Sequence, residues 1–143
     1  MRKEKLFFVS LVLILTTSFS PVKEMQKPNS TNIISVNEPN WIGLLETQTE
    51  CEIYYSLVQC GEERKLLLKY FNEVPFNQNI KFKVTVRYLG YEIKEEKTKF
   101  VAPNQTIIGN CDSTDRNLFI KLLPPNWDFS NTTVTAELIE VTN

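Results

Sequence analysis

Ile80-Lys81-Phe82-Lys83-Val84-Thr85-Val86-Arg87-Tyr88 alternates at every position. Ile80, Phe82, Val84, Val86 and Tyr88 form an apolar set, and Lys81, Lys83, Thr85 and Arg87 a polar one. A helix would scatter both sets around its axis, whereas a strand sends each to its own face. The stretch is therefore a strand with one buried face. Upstream, Glu52–Gln59 puts Ile53, Tyr55 and Leu57 on one side and Tyr54 and Val58 on the other. Arg64–Phe71 is apolar on both sides, as in a more central strand. Cys60-Gly61-Glu62-Glu63 lies between them and reads as a hairpin turn.

Downstream, Gly90 marks a turn, and Tyr91–Val101 follows with a heavily charged middle. Glu and Lys also favour helices. An edge strand is the preferred reading, because charges along an edge discourage sheet-to-sheet aggregation. Ala102-Pro103-Asn104-Gln105 is a turn, Thr106-Ile107-Ile108 a short strand, and Gly109–Asn117 a polar loop. Leu118–Leu123 is another strand, closed by Pro124-Pro125-Asn126. Thr132–Val141 is the last, with Val134, Ala136 and Leu138 on one side. The fold class is all-β: an antiparallel β-sandwich of about seven to eight short strands. In strand count and spacing the segment from Trp41 to the C-terminus resembles the small immunoglobulin-like domains of exported proteins. It lacks the Cys…Trp…Cys order of antibody domains, since Trp41 precedes all three cysteines and Trp127 follows them. The resemblance therefore carries over no functional residue.

The N-terminus has the order of a secretory signal peptide. Arg2, Lys3 and Lys5 form a basic start, Leu6–Leu15 is apolar except for Ser10, and Thr16–Ser20 is small and polar apart from Phe19. The apolar run is about half of the ~20 residues needed to span a bilayer. Residues 1–20 are read as the signal, with a cut after Ser18 avoiding Pro21 near the scissile bond. Residues 21–40 read as a flexible leader with a short strand at Ile33–Val36, and residues 41–143 as the sandwich domain. No later apolar stretch is long enough for a transmembrane segment in the mature chain. The expected location is exported: periplasmic, cell-surface or extracellular.

Composition excludes several classes. The chain has 143 residues, a formal net charge of −1 and no His, so no mechanism can use imidazole. Removing residues 1–20 takes away three basic groups and Glu4, leaving 13 basic against 16 acidic groups, net −3. That balance offers no nucleic-acid footprint. The 4 Gly are scattered and form no phosphate-binding loop.

Three cysteines lie in the mature chain. If Cys51–Cys60 is one extended strand, its ends are ~30 Å apart, while a bridge needs Cα atoms within roughly 7 Å. The expected disulfide is Cys60–Cys111, with Cys51–Cys111 the next choice. Cys51 is then the unpaired thiol. It reads as a small buried hydrophobe, or less readily as an intermolecular bridge or nucleophile.

Other candidates weaken on inspection. Glu62-Glu63 and Glu95-Glu96 are adjacent pairs, and neighbours on a strand face opposite ways. Asp112-Ser113-Thr114-Asp115 offers fewer oxygens than calcium takes and reads as an Asx-type turn. Metal and cofactor are expected to be none. Three sequons, at Asn29, Asn104 and Asn131, are about what chance gives and do not establish glycosylation. Trp41, Trp127 and Phe129 are the candidate surface contacts, because exposed aromatics dominate interfaces. Their plainer role is to cover the open ends of the core. Tyr54 and Tyr91, on the expected outer faces of their strands, are further candidates.

The expected function is a non-enzymatic binding or structural module of the cell envelope or extracellular space, with an unknown protein or glycan partner. The alternative is a secreted hydrolase inhibitor acting through loop Gly109–Asn117 or Pro124–Ser130. A thiol enzyme built on Cys51 comes third.

Overall fold

The alternation of residues 80–88 sets the middle of one of two packed sheets. The computed structural model describes residues 39–143 apart from Pro125. The expected signal peptide, nearly all of the leader and the strand at Ile33–Val36 lie outside the described residues. The strands are β1 (Ile42–Glu46), β2 (Cys51–Cys60), β3 (Glu63–Asn72), β4 (Gln78–Tyr88), β5 (Tyr91–Val101), β6 (Thr106–Ile108), β7 (Phe119–Leu122) and β8 (Thr133–Thr142). They form an all-β sandwich. One sheet runs β1-β2-β3, with β6 and β7 both on the far edge of β3; the other runs β5-β4-β8. Every pairing is antiparallel. β1 is the strand that the sequence reading left out. Its five residues contain a bulge between Gly43 and Leu45, which blurs the two-residue period.

The faces follow the sequence pattern. Ile80, Phe82, Val84 and Val86 of β4 meet Ile53, Leu66, Leu68 and Tyr70 of the opposite sheet, and Ile120, Leu122, Val101 and Trp127 complete the core. Each such aliphatic or aromatic side chain contributes about 1.5–3 kcal/mol on leaving water. β3 is central, as its two apolar faces suggest, and pairs along both edges. Asn72, the last residue of β3, ties the β3–β4 connection to the β5–β6 connection. Its Nδ2 donates to the carbonyls of Phe76, Val101 and Ala102, and its Oδ1 accepts from Val74 N–H.

β6 and β7 are one edge strand interrupted by a loop. β6 pairs with Lys69–Phe71 and β7 with Arg64–Leu67. Between them Gly109 donates to Leu68 O at 2.8 Å, then the chain leaves the edge and returns at Leu118. A Cβ on Gly109 would stand 2.3 Å from Leu118 O, so only glycine lets the loop close. The loop is then fastened at several points. Cys60 and Cys111 are joined in a disulfide with Cα atoms 5.4 Å apart across 51 positions of sequence. Closing a loop of that length stabilises the fold by about 4 kcal/mol through the unfolded chain. Lys65 donates to Cys111 O at 2.8 Å, and Asn110 and Ser113 bond to each other's backbone and side chain in an Asx-type turn.

The remaining fasteners come from β5. Ile93, Glu95, Lys97, Lys99 and Val101 share its inward parity, because they lie across from Val86, Val84, Phe82, Ile80 and Gln78. The charged middle therefore faces the sandwich as well as solvent. Lys97 is 1% exposed. Its ammonium donates to Glu95 at 2.6 Å, Arg116 O at 2.6 Å and Phe119 O at 2.8 Å, which uses all three N–H groups. Thr98 N–H donates to Asn117 Oδ1, and Lys99 to Asp115 at 2.6 Å. Among the described residues no buried side-chain polar atom lacks a partner.

Lys97→Met keeps the apolar stem and leaves the Arg116 and Phe119 carbonyls without this donor. We expect it to lose about 3 kcal/mol of stability in urea denaturation. Lys94→Met, which removes an exposed partner of Glu92, serves as the control and should change stability by about 0.5 kcal/mol or less. Asp115 gives a pH-dependent counterpart. The Lys99 ammonium, then the Asn117 N–H, hold its carboxyl below the usual range. That stabilisation is complete above the ordinary carboxylate pKa of about 4 and fades as pH falls through the lowered folded value. Asp115→Asn should therefore destabilise at neutral pH, and its deficit should close in urea midpoints measured at progressively lower pH.

Candidate functional site

The β4–β5 hairpin ends in two residues, Leu89 and Gly90, between the last cross-strand pair Tyr88 and Tyr91. Two-residue hairpins favour turns whose central residues both have positive φ, and here φ is +43° at Leu89 and +85° at Gly90. Gly90 suits that backbone. Leu89 does not, because its Cβ crowds the carbonyl in the left-handed region and it has no polar group to bond the backbone locally. Leu89 is also 74% exposed, and Tyr91 beside it 54% exposed.

Beneath this turn lies an aromatic cluster. Trp127 packs on Tyr88 with ring centroids 5.2 Å apart and on Tyr91 at 6.5 Å. Its indole N–H donates to Thr132 Oγ1, which donates in turn to Asp128 O. Asp128 accepts from Ser130 N–H, Ser130 Oγ and Asn131 Nδ2, and these bonds hold its carboxyl below the usual range. The loop 123–132 is thereby fixed under the hairpin. An open groove of about 450 Å³ runs between them, lined chiefly by Tyr88, Leu89, Tyr91, Asn131 and the Arg87–Glu92 ion pair. Lys94 and then Arg87 keep the Glu92 carboxyl below its usual range. The groove offers an aliphatic side chain, a ring edge, an amide and a neutralised ion pair, which is the chemistry of contact.

The other aromatic surface is the outer face of β1-β2-β3. Two cross-strand rows define its middle: Gly43, Tyr54, Lys69 and Ile108, then Ser56, Leu67 and Phe119. Lys69 lies 4.0 Å from the Tyr54 ring centroid and 5.5 Å from that of Trp41, and Lys65 lies 5.1 Å from that of Phe119. Such contacts contribute about 0.5–1 kcal/mol at exposed sites. Leu67 and Ser56, at the centre of this face, are buried. Ile108, at the end of one row, is half exposed, and Leu89 at the turn more so.

The three aromatic contacts expected from sequence do not come together. Trp127 is fully buried in the core, which corrects its place as a surface contact: the loop after Pro124 folds it in between Tyr88 and Tyr91. Trp41 lies under Lys69, and Phe129 packs against the core with Arg64 over its ring at 5.4 Å. Tyr54 is on the outer face. Tyr91 instead shares the inward parity of Ile93 and reaches Trp127 past the sheet end.

Cys51 is a free, buried thiol at the start of β2. Burial, then the charge of Glu52, push its pKa up to about 11. Asp115 caps the 3-10 turn Arg116–Leu118, and no group of three or more potential ligands suited to a metal occurs among the described residues. Sequence reading passed over Leu89 and Lys97. The signal for Leu89 was a Leu-Gly pair where a tight hairpin favours Asn-Gly.

No helix among the described residues is long and apolar enough to cross a membrane. Comparison with protein-family models, with curated proteins and with solved structures finds no match in any of the three.

A thiol this buried and this weakly acidic should resist iodoacetamide at neutral pH in the native chain and react fully in urea. Intact mass before and after denaturation reads it directly. Ready native labelling would return Cys51 to the candidate nucleophiles.

Proposed function

We propose that the chain is an exported, non-enzymatic binding module of the cell envelope or extracellular space. Its contact surface is the end formed by Leu89, Tyr91 and Asn131, and its partner is a protein or glycan. The observation that carries this reading is Leu89. A bulky residue at positive φ costs about 1 kcal/mol or more, and its exposure forgoes the gain from burial. Asparagine at the same place would cost neither. Residues held against folding stability in this way concentrate at binding surfaces.

Further support is of a coarser kind. The basic, apolar, small-polar order of residues 1–20 suits export, and a disulfide is compatible with an oxidising compartment. An immunoglobulin-like assignment draws support from the path of the chain. It crosses between sheets at β3 to β4, β5 to β6 and β7 to β8, so that β6–β7 lie beside β3 and β8 beside β4. The hydrolase-inhibitor alternative draws less. Loop Gly109–Asn117 turns its hydrogen bonds inward to β3 and β5, and Trp127 and Phe129 of the other loop pack on the core.

Leu89→Asn should raise stability by about 1 kcal/mol in urea denaturation while abolishing partner contact. A photo-crosslinking residue at position 89 of the exported chain should join it to one partner at stoichiometric yield, and the joined peptide identifies it. A loss of stability in Leu89→Asn would mean that Leu89 is a packing residue, and the reading would fail.

A further inference from the structure

The two long sides of the sandwich differ. Along β5 and β6–β7 the side is sealed by the 109–118 loop, Lys97 and Lys99. Along β1 and β8, which touch each other, no described residue pairs with the outer edge of either strand. Ile42 of β1 and Leu138 and Ile139 of β8 are exposed there.

The β8 edge is the more capable of the two. β1 has five residues and a bulge, whereas β8 has ten, with its own register shift falling late, between Leu138 and Glu140. From Thr133 to Leu138 its register with β4 is unbroken, and Thr133–Ala136 carries no charge and no proline. Folded chains usually block an edge like this with a bulge, a lysine or a covering loop. Among the described residues no strand pairs with the outer edge of β8.

We propose that the free edge of β8 takes up an extended strand of a partner protein, and that the strand alternates basic with apolar residues. The chemistry follows from the register. Glu137 and Glu140 lie across from Lys83 and Lys81 on the outer face, and neither carboxylate makes an ion pair among the described residues. A strand on the far edge with lysine or arginine at matching positions would face both. Its alternate side chains would turn toward the side of the sandwich that exposes Leu138 and Ile42. Main-chain hydrogen bonds supply affinity in such an addition, and the alternating side chains supply choice. A second copy of this chain fits less well: β8 against β8 sets carboxylate rows beside one another, and like charges across strands repel. The edge adjoins the Leu89 groove at Thr133, but the proposal does not rest on Leu89.

The test uses the mature chain and a capped peptide, Thr-Lys-Val-Lys-Val-Lys-Val-Lys-Thr. Amide exchange should slow along β8 on binding and stay unchanged along β5. The peptide with Glu for every Lys should bind about tenfold more weakly or not at all, and Glu137→Gln/Glu140→Gln should cost the basic peptide about tenfold. Added salt should weaken the basic peptide. A basic peptide N-methylated at alternate amides, which keeps its charges but loses half its donors, should not bind. Leu89→Asn should bind as the unsubstituted chain does. Equal affinity for acidic and basic peptides, or no change along β8, would overturn the proposal. So would protection, without peptide, of the β8 amides that point away from β4: concentration-independent protection would mean that the chain's own upstream segment fills the edge, and protection rising with concentration that a second copy does.

Discussion

The ammonium of Lys97 holds the two sheets in register along one side. It is buried, it sits on the inward parity of β5, and it donates to Arg116 and Phe119 carbonyls that lie where the other sheet's edge strand resumes. Those carbonyls have no ladder partner on that side, so a cation with three donors satisfies what a strand otherwise would. Glu95, two residues away on the same face, balances the charge. A buried cation without such acceptors would cost several kcal/mol. The fold therefore depends on the loop and the lysine being placed together.

The loop is placed by neighbours that are far away in sequence. Gly109 allows the close pass against Leu118, the Cys60–Cys111 disulfide anchors the loop to the β2–β3 hairpin, and Asp115 and Asn117 meet Lys99 and Thr98. One side of the sandwich is thus closed by polar contacts rather than by a further strand. The opposite side, where β1 and β8 meet, has no comparable device among the described residues. That side and the β4–β5 turn each expose apolar side chains, Ile42, Leu138 and Ile139 at the one and Leu89 and Tyr91 at the other. The outer aromatic face contributes little, because Lys65 and Lys69 lie over its rings.

Much of this was legible along the chain. The alternation of residues 80–88 specified a half-buried strand, and the doubly apolar Arg64–Phe71 a central one. The distance spanned by an extended Cys51–Cys60 segment removed that pairing and left Cys60–Cys111 as the first choice. The charged segment Tyr91–Val101 could be read as an edge strand, but not that Lys97 and Lys99 face inward. That depended on the 109–118 loop, whose position no local pattern encodes. β1 escaped because its bulge breaks the period. Along the chain Trp127 could be a surface contact or, more plainly, a cover for the core; Tyr88 and Tyr91, some forty positions earlier, enclose it and decide for the core.

By itself the sequence determined the all-β class, the strand faces and the first choice of cysteine pair, since each depends on side-chain period or on the reach of an extended chain. Tertiary structure decided which charges are buried, which aromatic rings are covered and which edges stay open. Those depend on contacts between segments far apart in the chain. Leu89 shows the division. Its identity and its place before Gly90 are written in the sequence, while its strain and exposure exist only once Tyr88 and Tyr91 pair and the turn between them takes positive φ at both residues.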